Sequence, residues 1–204
     1  MKYILYFLLA AIVVAAVSTG VHLYKVAARN KKEIAQFGGE RLLLNKKFGK
    51  VLVVYYSLSG NTKAVAEAIR DKTGADMFEI KTVSEIKQNP MLHLAVRDQL
   101  KTGKYPELAG ELPDFSKYDM IFVGAPVWWY TVATPALSFL ERADFQGKAV
   151  VPFSTQGSNA GTYFEDFAKK AKNARLLKSE SFNNLPKEYD AAVENKIIAW
   201  LNGL

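Results

Sequence analysis

The chain has 204 residues, half of them hydrophobic, which suffices for one ordinary domain plus an appendage and argues against wholesale disorder. With no cysteine, and only His22 and His93, it lacks disulfides, thiolate nucleophiles and the makings of a Cys- or His-rich metal centre. The net charge of +7 sits in residues 1–50, where nine Lys/Arg face Glu33 and Glu40, leaving 18 of 27 basic and 18 of 20 acidic side chains for a neutral remainder. That placement suits attraction to anionic lipid headgroups and argues against nucleic acid as a partner.

Tyr3 to Tyr24 is an unbroken run of 22 uncharged, mainly apolar residues. As a helix rising ~1.5 Å per residue it would match the hydrocarbon thickness of a bilayer. Tyr3, Tyr6 and Tyr24 lie where interfacial aromatics would sit. The alternative is a cleaved secretory signal, with Lys2 as its charged start and Ala16-Val17-Ser18 as small residues for cleavage. A retained anchor is favoured because apolar character continues past Ser18 to Leu23. Lys25, Arg29, Lys31 and Lys32 follow the run, which by the positive-inside tendency leaves the C-terminal domain in the cytoplasm. Export with a cleaved signal peptide is the alternative location. The expected division is therefore a transmembrane or signal-anchor helix over 1–24, a basic tether over 25–49 with one short helix around Glu33–Leu44, and a folded domain over 50–204.

From Lys50 onward apolar strands alternate with helices. Val51–Tyr56 is a buried strand, closed by Ser57-Leu58-Ser59-Gly60-Asn61-Thr62, after which Val65, Ala68 and Ile69 show helical spacing. Asp76–Lys81 reads as a second strand and Pro90–Lys101 as a helix starting on its proline. Met120–Gly124 is a third strand, Thr134–Glu141 a helix, Ala149–Phe153 a fourth strand and Tyr163–Ala171 a helix. Arg175–Lys178 is a short fifth strand, and a closing helix carries Val193, Ile197 and Trp200 or Leu201 on one face. Five short apolar strands separated by helices indicate a doubly wound parallel sheet with ligands at the carboxyl ends of its strands.

Those ends carry the informative residues. The first amides of a helix lack partners and carry partial positive charge, and no Asp or Glu occurs between Glu40 and Glu67 to neutralise them. The side chains of Ser57, Ser59, Asn61 and Thr62 can add hydrogen bonds to an anion. The third strand leads into Gly124-Ala125-Pro126-Val127-Trp128-Trp129-Tyr130, placing three aromatics just beyond the sheet edge. The fourth leads into Ser154-Thr155-Gln156-Gly157-Ser158-Asn159, a loop of small polar residues. Each has a plainer reading: a structural turn, core or partner-binding aromatics, an ordinary connection. Together on one edge they describe a pocket for a planar aromatic ring bearing one phosphate.

Ser57-Leu58-Ser59-Gly60-Asn61-Thr62 resembles the phosphate loop of the flavodoxin-like FMN-binding family, and the resemblance extends over Lys50 to Leu204. It implies a flavodoxin-like sheet in the order 2-1-3-4-5. It further implies FMN as cofactor, with Ser57, Ser59, Gly60, Asn61 and Thr62 at the phosphate. Pro126, Val127, Trp128, Trp129 and Tyr130, with Thr155, Gln156 and Gly157, would surround the isoalloxazine. Pro126–Tyr130 with Pro135 downstream, and Thr155-Gln156-Gly157, resemble members of the NAD(P)H:quinone reductase kind more than small carriers. Two departures stand out. Carrier flavodoxins are strongly acidic, whereas no Asp or Glu lies between Met120 and Leu140 or between Phe145 and Phe164. Nearby carboxylates disfavour negative charge on a reduced flavin, so the expected potential is less negative than in acidic carriers. The other departure is the N-terminal apolar segment.

The leading functional reading is a membrane-anchored FMN flavoprotein, an oxidoreductase moving electrons between a reductant and an acceptor such as a quinone, with no catalytic acid or base of its own. The alternatives are a one-electron carrier docking with a redox protein, and a flavin-free, membrane-tethered interaction module. Other α/β chemistries fail on residues. No Gly-Lys-Ser/Thr triphosphate loop occurs, no Cys can serve a phosphatase, and Gly124-Ala125 stand where a phospho-receiver needs Asp.

Overall fold

Strand β1, Val51–Tyr55, is buried along its whole length and sits inside a parallel sheet. Its residues alternate between two cores, Leu52 and Val54 facing one and Val51, Val53 and Tyr55 the other. The structure is a computed structural model that describes residues 2–204.

The elements run α1 (Lys2–Phe37), β1, α2 (Asn61–Thr73), β2 (Asp76–Glu79), α3 (Pro90–Thr102), β3 (Met120–Trp128), β4 (Thr131–Val132), α4 (Thr134–Arg142), β5 (Ala149–Gln156), α5 (Tyr163–Lys170), β6 (Arg175–Leu176), β7 (Glu180–Asn183) and α6 (Asp190–Asn202). The parallel strands lie in the order β2-β1-β3-β5-β6. Both β6 and β7 pair with β5, β6 at Ala149–Val150 and β7 at Phe153–Gln156. They are two pieces of one fifth strand, so the predicted order of five strands holds. Only the first piece was expected; Glu-Ser-Phe-Asn carries no apolar run to announce the second.

One core packs Phe115, Phe139 of α4, Phe145 and Phe167 of α5 against the sheet. The other packs Ile69 of α2 and Ile197, Trp200 and Leu201 of α6 on the opposite face. Trp200 is its hub, with Phe122, Phe153 and Phe182 meeting it edge-on at 5.5, 6.4 and 5.8 Å between ring centres.

Helix α1 joins two unlike halves. Among the described residues its apolar run is unburied, with Tyr3, Phe7 and Leu23 all exposed, and it is long and apolar enough to cross a membrane. Beyond Tyr24, Val26, Arg29, Asn30, Glu33, Ile34 and Phe37 are sheltered at helical spacing, one stripe facing the domain. The helix ends at Phe37, where Gly38 N bonds Ile34 O at 2.7 Å, instead of forming a separate helix around Glu33–Leu44. The chain then runs irregularly along α6. Asn195 accepts from Leu42 N (2.8 Å) and donates to the Phe37 and Glu40 carbonyls (2.8 and 3.0 Å). Asn202 accepts from Asn45 N and donates to Leu43 O, both at 3.0 Å.

Candidate functional site

Three chain segments meet at the carboxyl edge of the sheet. The first is the turn from β1 into α2. Gly60 takes φ 92°, a left-handed conformation easy for glycine, and no side chain caps the helix. The opening amides of α2 are thus left to a ligand, with no carboxylate in the first turn. Ser57 Oγ accepts from Gly60 N and Ser59 Oγ from Asn61 Nδ2, each at 3.2 Å. Ser59, Gly60 and Asn61 are exposed and Ser57 partly so. Thr62 is buried, and its hydroxyl meets that of Thr155 at 2.7 Å. This pair stitches the start of α2 to the end of β5.

The second segment is an aromatic hairpin. Strand β3 runs on through Trp128, which pairs with Thr131 of β4, so Trp129 and Tyr130 form a two-residue turn. The aromatics are therefore not a loop past the sheet edge, as the sequence suggests, but the tip of a β-ribbon. Both turn residues have positive φ, 51° and 62°. A tight hairpin needs this to match strand twist, but normally draws it from Asn or Gly. For bulky aromatics it costs about 1–3 kcal/mol each.

Tertiary contacts hold the turn. Thr162 N donates to Tyr130 O at 2.8 Å, and Gly161 lies so close that a Cβ there would sit 2.2 Å from that oxygen. Asp166 Oδ2 accepts from Thr131 Oγ1 (2.7 Å) and Thr162 Oγ1 (2.6 Å). Partial burial works against ionisation of Asp166, but the hydrogen bonds from Thr162 and Thr131 and the Lys169 ammonium outweigh it and hold the carboxyl below its usual range. The Trp129 indole donates to His93 O at 3.2 Å and meets the His93 ring edge-on. Trp128 meets Tyr56 edge-on at 5.6 Å, and burial pushes the Tyr56 hydroxyl up to about 12.

The third segment is the end of β5. Thr155 and Gln156 lie inside the strand and are buried, whereas Gly157 is exposed. Gln156 Nε2 donates to Asn183 Oδ1 of β7 at 3.4 Å.

Three clefts line this edge. One of about 500 Å³ lies between α3 and the hairpin, walled by Leu58, Asn89, His93, Val96, Trp128 and Trp129. It adjoins one of about 320 Å³ bounded by Trp129, Tyr130, Gln156 and Gly157. The third, about 390 Å³, is bounded by Ser59, Gly60, Asn61, Thr155, Asn183, Lys187 and Asp190. Among the described residues no carboxylate lines the first two. The edge thus gathers all three predicted groups: Ser57 to Thr62, Pro126 to Tyr130, and Thr155 to Gly157. Sequence reasoning missed Leu58, His93, Asn183 and Lys187 as wall residues. No local pattern marks any of them, because each reaches the edge through elements distant in the chain.

Fold and site together define an α/β protein with a ligand edge at the switch between β1 and β3. The profile of the flavodoxin family matches residues 50–202, and the chain belongs to that family. Among solved structures, a flavoprotein in complex with FMN from Lactobacillus acidophilus is similar at 26% identity and TM-score 0.59, covering 65% of this chain and 92% of that one. The apo-form of the Lactobacillus acidophilus flavoprotein gives 26% and 0.54, covering 72% and 97%. A candidate flavoprotein from Bacteroides eggerthii gives 25% and 0.61, covering 76% and 96%. No curated protein sequence matches.

Proposed function

We propose that the chain binds FMN at this edge and works as an oxidoreductase, passing electrons from a soluble reductant to a quinone-class acceptor, with α1 holding it at a membrane. The observation that carries this reading is the shared edge of an uncapped, carboxylate-free helix start and a strained aromatic hairpin. The residues fit the cofactor. The amides of Gly60, Asn61 and Thr62, with the hydroxyls of Ser57 and Ser59, would hold its phosphate. Pro126 to Tyr130 and Gln156–Gly157 would flank the ring. The Thr62 hydroxyl would also brace the loop through Thr155. FMN, when bound, supplies reversible electron uptake at its ring, and the protein contributes binding, orientation and electrostatics. The complex of the Lactobacillus acidophilus relative with FMN supports this choice.

The cleft between α3 and Trp128–Trp129, mostly apolar in its walls, offers room for an acceptor ring. The unburied apolar half of α1 supports membrane attachment, and the basic residues after it support a cytoplasmic domain. An absorbance spectrum and cofactor extraction of the purified chain test the first step. A yellow protein releasing FMN is expected; a colourless one that rejects added FMN would leave a membrane-tethered interaction module. Steady-state NAD(P)H oxidation with a quinone tests the second: turnover is expected, and chemical reduction without turnover would make the protein a one-electron carrier. A C-terminal reporter active only in the cytoplasm should give signal.

A further inference from the structure

We propose that Glu33, near the C-terminal end of α1, is a positioning residue for the flavin site, so that seating of α1 on the domain and binding of FMN strengthen each other. The proposal rests on the FMN reading above. Glu33 is only 8% exposed, although it belongs to a helix whose first half is bare. Its Oε2 accepts from Lys196 Nζ at 3.0 Å and from Asn183 Nδ2 at 2.8 Å. Asn183 in turn presents its Oδ1 to Gln156 Nε2, and Gln156 Oε1 accepts from Ser154 Oγ at 3.0 Å. An unbroken line of polar contacts therefore joins α1 to the end of β5.

Two of its members are walls of the site. Gln156 borders the cleft below the aromatic hairpin, and Asn183 borders the cleft at the start of α2. Asn183 and Gln156 are also cross-strand partners, so a shift in one is felt by the other. The carboxylate sets the direction of this line. A buried anion demands donors, so it turns the amide nitrogen of Asn183 toward itself and the amide oxygen toward Gln156. Lys196 compensates the charge and donates to Ser181 O at 2.5 Å, on the same strand as Asn183. Without Glu33, Lys196 keeps only the Ser181 carbonyl and the more distant Glu180 carboxylate at 3.6 Å, and the Asn183 amide keeps only its contact with Gln156. Because α1 is continuous from Lys2 to Phe37, Glu33 stands on the same helix as the apolar run. Linkage makes the effect reciprocal: whatever factor docking adds to FMN affinity, FMN adds to docking.

The test uses the full chain in detergent micelles, with FMN as the probe. Flavin fluorescence gives affinity, the visible absorption band reports the ring environment, and hydrogen exchange follows residues 26–45. In the unmodified chain FMN should slow exchange over 26–45. Glu33→Ala should abolish that slowing, weaken FMN about tenfold and alter the band shape, consistent with typical coupling. Glu33→Gln, which keeps an acceptor for Asn183, should restore most of the band shape. Should Glu33→Ala fail to fold, Glu33→Met combined with Lys196→Met removes both buried charges together and should fold while showing the same loss. Unchanged FMN affinity and unchanged exchange in that double variant would overturn the proposal while leaving the cofactor reading intact. An unmodified chain that rejects FMN would overturn both.

Discussion

Two turns on the same edge solve the same backbone problem with opposite residues. At the start of α2 the left-handed position is Gly60, with φ 92° and open space around it. At the end of β3 the left-handed positions are Trp129 and Tyr130, two bulky aromatics. Glycine lets the backbone amides approach a ligand and needs no outside support. The aromatic turn is held from other parts of the chain, by Thr162, Gly161 and Asp166 on one side and by the His93 carbonyl on the other. One turn is a local property of the sequence, and the other is strain stored where large rings are wanted.

The strongest way to break this contrast is to put a side chain into the open turn. Gly60→Val should lower FMN affinity about a hundredfold, equivalent to ~3 kcal/mol, read by fluorescence titration. A β-branched residue resists that φ and its methyls cover the amides. An unaltered affinity would mean that the turn does not hold the phosphate.

Replacing Trp129 by Asn together with Tyr130 by Gly should favour folding. Relief of two strained positions should raise the unfolding free energy in denaturant by about 2–3 kcal/mol while FMN affinity falls. Stability that stays level would show that the turn stores no strain.

The link between the Ser57–Thr62 turn and β5 is weaker. Thr62→Val leaves the Thr155 hydroxyl buried without a partner and should cost about 1–2 kcal/mol in denaturant unfolding. Thr62→Ser should recover most of it.

The smallest effect is a pH dependence of the hairpin. The folded Asp166 carboxyl titrates below its ordinary 3.8, so its stabilising contribution is complete above that value and disappears as pH falls through the lower folded one. Tryptophan near-ultraviolet dichroism should change over that acid range. Asp166→Asn should lose the part of the change that belongs to the hairpin.

Much of the fold was legible because it rests on short-range chemistry. The apolar runs of β1, β3 and β5 announce buried parallel strands, and Asn89-Pro90 opens α3 with a side-chain cap to Met91 N and Leu92 N. The turn Ser57–Thr62 was equally plain. The hairpin was not, because hairpin prediction looks for Asn-Gly or Asp-Gly and meets Trp-Tyr. The docked half of α1 was hidden for a similar reason. Its sheltered stripe includes half-buried Arg29 and Asn30 and buried Glu33, which read as a solvated tether until their cover is known.

The sequence by itself determined the order of the five main strands, the uncapped turn Ser57–Thr62, the aromatic cluster and the apolar N-terminal run. Each of these depends on residues within a turn or two of one another. Only the tertiary structure decided that Trp129 and Tyr130 adopt left-handed backbone and that Glu33 is buried. Their partners, Thr162 and Asp166 in one case and Asn183 and Lys196 in the other, stand far along the chain. Strain and buried charge are tolerated only where such distant groups compensate them.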